Sequence, residues 1–357
     1  MNNITTDFFL SANTPAGFIS EFKNICPVNS SGKCFILKGS PGCGKSGILK
    51  KIADKASAKY ENVEKIHCSC QSDSLDGVII KDINLSFIDG TSPHSVEPLC
   101  PVSQHIVVSL YEGCNEKFLN EKRREISALV LKKQALCEKC RRLLMSTEEF
   151  YRDNYSIAQG FTDISKVYAQ THRFIKKEFK TVKPYSGTEE KRFFSVLTGS
   201  GVSFFPETIK SLADKVYLLQ DDYGVFSDIM LSAVRNHALY CGYSIISCRC
   251  SAASDEKLEH IFIPELSLAF ICSNKYHNLN LEPYRIINCR RYTNDELLRE
   301  NRRHLYFNKH SIAQILQKST DVMAEISSVH NEIEKIYGDS MDYSITDEVN
   351  EKLLKLI

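Results

Sequence analysis

The run Gly39-Ser40-Pro41-Gly42-Cys43-Gly44-Lys45-Ser46 brings together the residue types that hold a multiply charged anion. Glycines at 39, 42 and 44 let the backbone curl so that successive N–H groups point at one place. Lys45 adds a mobile positive charge, and Ser46 adds a hard hydroxyl oxygen. The spacing is G-x-x-x-x-G-K-[ST], that of a phosphate loop. It predicts that these eight residues and Gly47 line a nucleotide site. Lys45 is expected to reach the β- and γ-phosphates, and the Ser46 hydroxyl to ligate Mg²⁺. Cys43 fills a free position in the pattern. It reads either as a small residue that fits or as a thiol made oxidant-sensitive by Lys45 and a helix start.

Such a loop needs a strand before it and a helix after it. Residues 34–38, Cys-Phe-Ile-Leu-Lys, read as a short buried strand, and Ile48, Leu49, Ile52, Ala53 and Ala56 recur at helical spacing. The helix start adds its positive dipole end. A Mg²⁺–nucleotide site also needs a carboxylate on a neighbouring strand. The apolar run 83–89 ends in Asp89 and is followed by Gly90-Thr91-Ser92-Pro93, so Asp89 is the preferred candidate for catalysis and metal binding. Asp82, ending 78–82, is its competitor.

The chain has 357 residues, long enough for two sizeable cores. Its net charge of +1 argues against nucleic acid as a partner. No stretch is apolar enough to insert in a membrane, and the start lacks the basic region of a signal peptide. The fourteen scattered cysteines are therefore read as reduced thiols of a cytoplasmic protein. Cys137-x-x-Cys140 has no second pair, so no zinc is expected. Segment 122–142 carries eight basic and two acidic residues, which reads as a solvated helix face or as a patch for a protein partner.

The sequence also repeats itself. Residues 33–39 align with 214–220, 66–70 with 246–250, 78–89 with 261–272, and 115–124 with 294–303. Four blocks in one order read as a duplication, with units 1–185 and 186–357. His94 aligns with His277, and Arg123-Arg124 aligns with Arg302-Arg303, a pair that could supply an arginine finger. Both units end in helix-forming stretches, 115–180 and 293–337; Thr293-x-x-Glu296 reads as a capping box. In the second unit the loop becomes Gln220-Asp-Asp-Tyr-Gly-Val-Phe-Ser227. Read position by position, Lys45 is replaced by Phe226, only the serine survives, and Cys272 stands opposite Asp89. Asp221 and Asp222 would repel phosphate. The expected fold is α/β: tandem P-loop NTPase-like domains with mainly parallel sheets, flanking helices and added helical segments.

The chain resembles an uncharacterised family of bacterial ATPases built from two P-loop repeats. The resemblance rests on residues 39–46, Ser74-Leu-Asp-Gly-Val78, Asp89-Gly-Thr-Ser-Pro-His94 and Ile263-Pro-Glu-Leu266. It covers nearly the whole chain. It departs at the second loop, which in that family is usually intact. The resemblance implies ATP binding and hydrolysis and draws attention to Asp73, Asp76 and His94. Asp76 could position the attacking water or a phosphoryl acceptor; His94 could sense the γ-phosphate, while its match to His277 in a unit without a nucleotide site also reads it as partly structural.

The function expected is thus an Mg-dependent ATPase with one site in the N-terminal unit and a pseudo-site in the C-terminal unit. The alternatives are an ATP-dependent small-molecule phosphotransferase and a nucleotide-gated binding module with negligible turnover. Guanine specificity would want Asn-Lys-x-Asp, and Asn274-Lys-Tyr-His277 lacks the acid.

Overall fold

Ile36 and Leu37 are neighbours in sequence and both fully buried. Successive side chains of a strand point to opposite faces, so both faces of this strand must be covered. The computed structural model, which describes residues 4–28, 30–253, 256–274 and 282–357, shows how. In the first half lie β1 (Ile4–Phe9), β2 (Ser11–Thr14), β3 (Gly17–Ser20), β4 (Lys33–Lys38), α1 (Lys45–Lys59), β5 (Asn62–His67), β6 (Leu75–Ile80), β7 (Leu85–Asp89) and β8 (His105–Ser109). Helices α2 (Glu116–Glu121), α3 (Arg123–Phe161) and α4 (Ile164–Glu178) follow. The second half runs β9 (Glu189–Arg192), β10 (Ser195–Thr198), β11 (Gly201–Phe204), α5 (Pro206–Leu212), β12 (Lys215–Gln220), α6 (Val225–Tyr240), β13 (Ile245–Arg249), β14 (Leu258–Ile263), β15 (Leu268–Ser273) and β16 (Arg285–Asn288). It closes with α7 (Asp295–Glu300), α8 (Arg302–Asp339) and α9 (Tyr343–Leu354).

The first sheet has the order β1-β5-β6-β7-β4-β8, and the second has β9-β13-β14-β15-β12-β16. Directions match as well. Pairs β1–β5, β7–β4 and β4–β8 are parallel, while β5–β6 and β6–β7 are antiparallel. The second sheet repeats that pattern pair for pair. Even the bulges coincide, at Ile66/His67 and Cys248/Arg249. The fold is α/β, with mixed, mostly parallel sheets flanked by helices.

Register corrects two of the sequence alignments. Lys33 lies opposite Leu85 as Lys215 lies opposite Leu268, so Lys33 corresponds to Lys215 and not to Asp214. The shared bulge sets Cys248 at the place of Ile66 and Cys250 at that of Cys68. Their amides agree: Cys68 N donates to Ser74 O and Cys250 N to Lys257 O, both at 2.9 Å. The similar C-x-C strings had pulled the alignment out of step by two residues.

The inner faces of the sheets share one apolar core. Phe8, Ile36 and Ile88 pack there with Leu218, Phe262 and Ile271, and α5 inserts Ile209 and Leu212. Each fully buried side chain of this kind is worth about 1.5–3 kcal/mol, so the halves cannot part cheaply. At the contact, Phe9 and Phe193 exchange backbone hydrogen bonds at 2.9 and 2.8 Å. The outer faces are covered by helices, and here the chain crosses over. Val167 and Phe174 of α4 join Tyr217 and Met230 on the second sheet, while Leu353 of α9 and Ile357 join Ile52 and Phe87 on the first. A division after residue 185 separates the two sheets, but the last helix of each half lies on the other's sheet.

The long helices α3 and α8 pack antiparallel, since Lys133 meets His330 while Phe150 meets Phe307. Their entries are set by asparagines. Asn115 caps α2 through Phe118 N, and Asn294 caps α7 through Glu296 N and Leu297 N. The cap is therefore Asn294, not Thr293: α7 starts at Asp295, and the Asn294 amide oxygen accepts from its free N–H groups.

Candidate functional site

β4 delivers the chain to the glycine loop, and α1 leaves it at Lys45. Gly42 and Gly44 have φ of +82° and +84°, a left-handed backbone that favours glycine. The Lys45 ammonium folds back into its own loop, donating to Gly39 O at 2.6 Å and Ser40 O at 2.8 Å. It also lies 3.6 Å from Asp89 Oδ2. That pairing follows from topology. β7 is the parallel neighbour of β4 and brings Asp89 opposite Leu37, at the strand ends where loops open. Thr91 N and Thr91 Oγ1 donate to the other carboxylate oxygen, Oδ1. Asp82, by contrast, lies in the tight turn between β6 and β7, bound to Glu61 N and Asn62 N. It is a structural turn residue far from the loop.

Ser46 Oγ accepts the Leu75 N–H at 3.0 Å, tying α1 to β6. The next residue of β6, Asp76, is buried, with its Oδ2 3.0 Å from His94 Nε2. Burial pushes the His94 pKa down, but the hydrogen bond and charge of Asp76, with the charge of Asp89, outweigh it and raise the pKa. Phe18 and Phe22 pack on the ring. Asp73 is exposed and stands apart. Cys43 is fully buried with its thiol on Ser40 Oγ, so it packs as a small residue. Cys137 and Cys140 are made less acidic by burial, Cys140 up to about 12, and no metal-binding cluster occurs among the described residues. Arg123, Arg124, Arg302 and Arg303 are exposed on the first turns of the long helices.

The other half roofs this site, which local sequence reading missed. Tyr343 Oη donates to Gly42 O at 2.9 Å, and Thr346 Oγ1 to Cys43 O at 3.4 Å. A Cβ on Gly42 would collide with the Glu334 carbonyl of α8. Ser327 Oγ donates to Cys70 O at 3.2 Å, and Gln71 bonds Asn331. Lys133 of α3 lies 3.0 Å from His330 Nδ1 of α8. No local motif marks these residues; the antiparallel helix pair and α9 after it bring them over the loop.

The second loop differs from its sequence alignment. β12 ends at Gln220, and α6 starts at Val225 behind Gly224, whose φ is +87°. Gly224 therefore holds the place of Gly44, Val225 that of Lys45, and Phe226 that of Ser46. Only four residues link strand and helix, against six in the first loop. Asp221 fills the turn. Its Oδ1 accepts Tyr223 N at 3.2 Å and Gly224 N at 2.9 Å; its Oδ2 accepts Ser227 N at 2.8 Å and Ser227 Oγ at 3.0 Å. In the first loop no side-chain acceptor reaches the amides of Gly42, Gly44, Lys45 or Ser46 among the described residues. A phosphate brought within about 4 Å of Asp221 would meet a repulsion of roughly 1–4 kcal/mol per unit charge. Beside this loop α3 roofs a cavity of about 560 Å³, with Tyr151 and Tyr155 in its wall. His277 and residues 275–276 lie outside the described residues.

No helix among the described residues is long and apolar enough to cross a membrane. Comparison with protein-family models, with curated proteins and with solved structures returns no match.

Proposed function

We propose that the chain is a tandem P-loop protein that binds ATP with Mg²⁺ at residues 39–46 and hydrolyses it, with one working site. The observation that carries this reading is the convergence of Lys45, which opens α1, and Asp89, which ends β7, 3.6 Å apart beside a left-handed glycine loop. The matching order of the two sheets supports a duplication into units 1–185 and 186–357. The shortened, aspartate-filled loop supports a second unit without the nucleotide chemistry.

The residues fit the cation. Ser46 Oγ and Asp89 offer the hard oxygen donors that Mg²⁺ prefers, and the Asp89 oxygen facing Lys45 is not the one engaged by Thr91. When bound, Mg²⁺ would neutralise charge on the β- and γ-phosphates. To reach those phosphates Lys45 would leave the Gly39 and Ser40 carbonyl oxygens and loosen its 3.6 Å approach to Asp89. The loop amides would hold the anion, and the α1 dipole adds to them. Asp76, buried with its Oδ2 3.0 Å from His94 Nε2, is the carboxylate we assign to orienting the attacking water. Hydrolysis breaks the bond to the terminal phosphoryl group, and water replaces the leaving diphosphate.

The test is phosphate release from MgATP with no acceptor present, in wild type and Lys45→Ala. Release that Lys45→Ala abolishes supports an ATPase. Release only on adding a small-molecule acceptor would make the chain a phosphotransferase, and no release despite ATP binding would make it a nucleotide-gated module.

A further inference from the structure

Helix α8 touches the first site at three levels. Ser327 and Asn331 meet Cys70 and Gln71 after β5, and the backbone at Glu334 and Gly338 lies against Gly42. Residues spaced by three or four share one helix face, so His330 faces the space between those contacts. That space lies near the start of α1, close enough for the charges of Lys45 and Asp76 to act on His330. Burial, with the charges of Lys133 and Lys45, pushes the His330 pKa down to about 4, and Asp76 pulls weakly the other way. The ring is thus neutral near pH 7, and its Nδ1 accepts a hydrogen bond from the Lys133 ammonium at 3.0 Å.

Lys133 is half-buried, and among the described residues no carboxylate lies within ion-pair distance of it. Its hydrogen-bond acceptor among the described residues is the neutral His330 ring, and its charge, after the hydrogen bond of Cys68, helps hold the Cys70 thiol down at about 7; an ammonium so placed is poised for an anion. The second half provides a contrast. Arg123 and Arg302 begin the two long helices, so Ile312 stands where Lys133 stands and Tyr151 where His330 stands. Ile312 is fully buried and apolar. The helix lysine is missing from the half whose loop also has valine in place of Lys45.

We propose that Lys133, oriented by His330 across the helix pair, binds the terminal phosphate of the nucleotide and makes the site prefer ATP to ADP. This rests on the reading of residues 39–46 as an ATP site. The partner phosphate is the one that ADP lacks, so binding it joins α3 to the nucleotide state. A charge-assisted hydrogen bond of this kind is worth about a tenfold or greater difference in affinity.

The experiment compares the affinities of full-length wild type, Lys133→Gln and Lys133→Arg for MgATP and MgADP by calorimetry. Lys133→Gln is expected to weaken ATP binding about tenfold or more while leaving ADP binding and the circular dichroism spectrum unchanged. Lys133→Arg is expected to keep the ATP preference. His330→Asn, which still offers an acceptor, should keep more of that preference than His330→Leu. An ATP-to-ADP affinity ratio unchanged in Lys133→Gln would overturn the assignment while leaving the nucleotide site standing, and so would an equal loss of both ligands. Wild type that binds neither nucleotide would remove the underlying site and this assignment with it.

Discussion

The Asp221 carboxylate accepts the backbone N–H and the hydroxyl of Ser227, at 2.8 and 3.0 Å. The second half thus places a side-chain anion of its own at the start of α6, where the first half, among the described residues, has no side-chain acceptor on the loop amides. Two loops on sheets of the same order have been closed and left open, respectively.

Asp221 therefore acts as a cap, and its loss should cost stability without creating a nucleotide site. Asp221→Ala is expected to destabilise the chain by about 1–2 kcal/mol, the scale of a lost helix cap. A thermal melt reads this as a lower Tm. The variant should bind no additional ATP, because Val225 still stands where a lysine is needed.

The two sheets are joined by a buried ion cluster. Arg192 of β9 bonds Glu64 of β5, with Lys81 and Glu190 at its edge. Arg192→Met should cost about 3–5 kcal/mol, because it strands a buried carboxylate. Glu64→Leu with Arg192→Met should recover part of that loss. Burial raises the Glu64 pKa, but Arg192 and Lys81 outweigh it and hold the group at about 2, against 4.5 for an ordinary glutamate. A lowered carboxylate pKa stabilises the fold above pH 4.5, and that contribution is lost as pH falls through about 2. Urea titrations between those limits should show wild type losing more stability than the double variant.

His94 gives the opposite sign. Its pKa is raised above 6.5 through Asp76, so its contribution is complete below pH 6.5 and fades as pH rises through the folded value. Asp76→Asn should bring the titration of His94 down, which NMR of labelled histidine measures. A His94 titration unmoved by Asp76→Asn would separate the two residues.

The crossed helices make a further prediction. Leu353 of α9 is buried on the first sheet, so Leu353→Ala should cost about 2–5 kcal/mol. Hydrogen exchange should then speed up in α1 and β6 rather than in α6 and β14. Faster exchange confined to the second sheet would contradict the crossing.

Much of the first site could be read in the sequence, because a phosphate loop is consecutive and its strand and helix flank it directly. Asp89 was also legible, since an acid at a strand end before Gly90 is a local signal. What the sequence hid was non-local. Lys133 and His330 reach the site only because α3 and α8 pack antiparallel, and no spacing rule links them to residue 45. The second loop misled for another reason. Matching its serine to Ser46 kept the two loops equal in length, whereas the positive φ of Gly224 shows two residues missing from the turn. The crossing of α4 and α9 left no mark in the pattern either, since an apolar helix face does not name the sheet that it covers.

One working site in a chain of two like halves is tested most directly by counting bound nucleotide. Calorimetric titration of MgATP into the full chain should give one molecule bound per chain, and Lys45→Ala should bind none at the same concentrations. Two molecules per chain, or binding that survives Lys45→Ala undiminished, would contradict it.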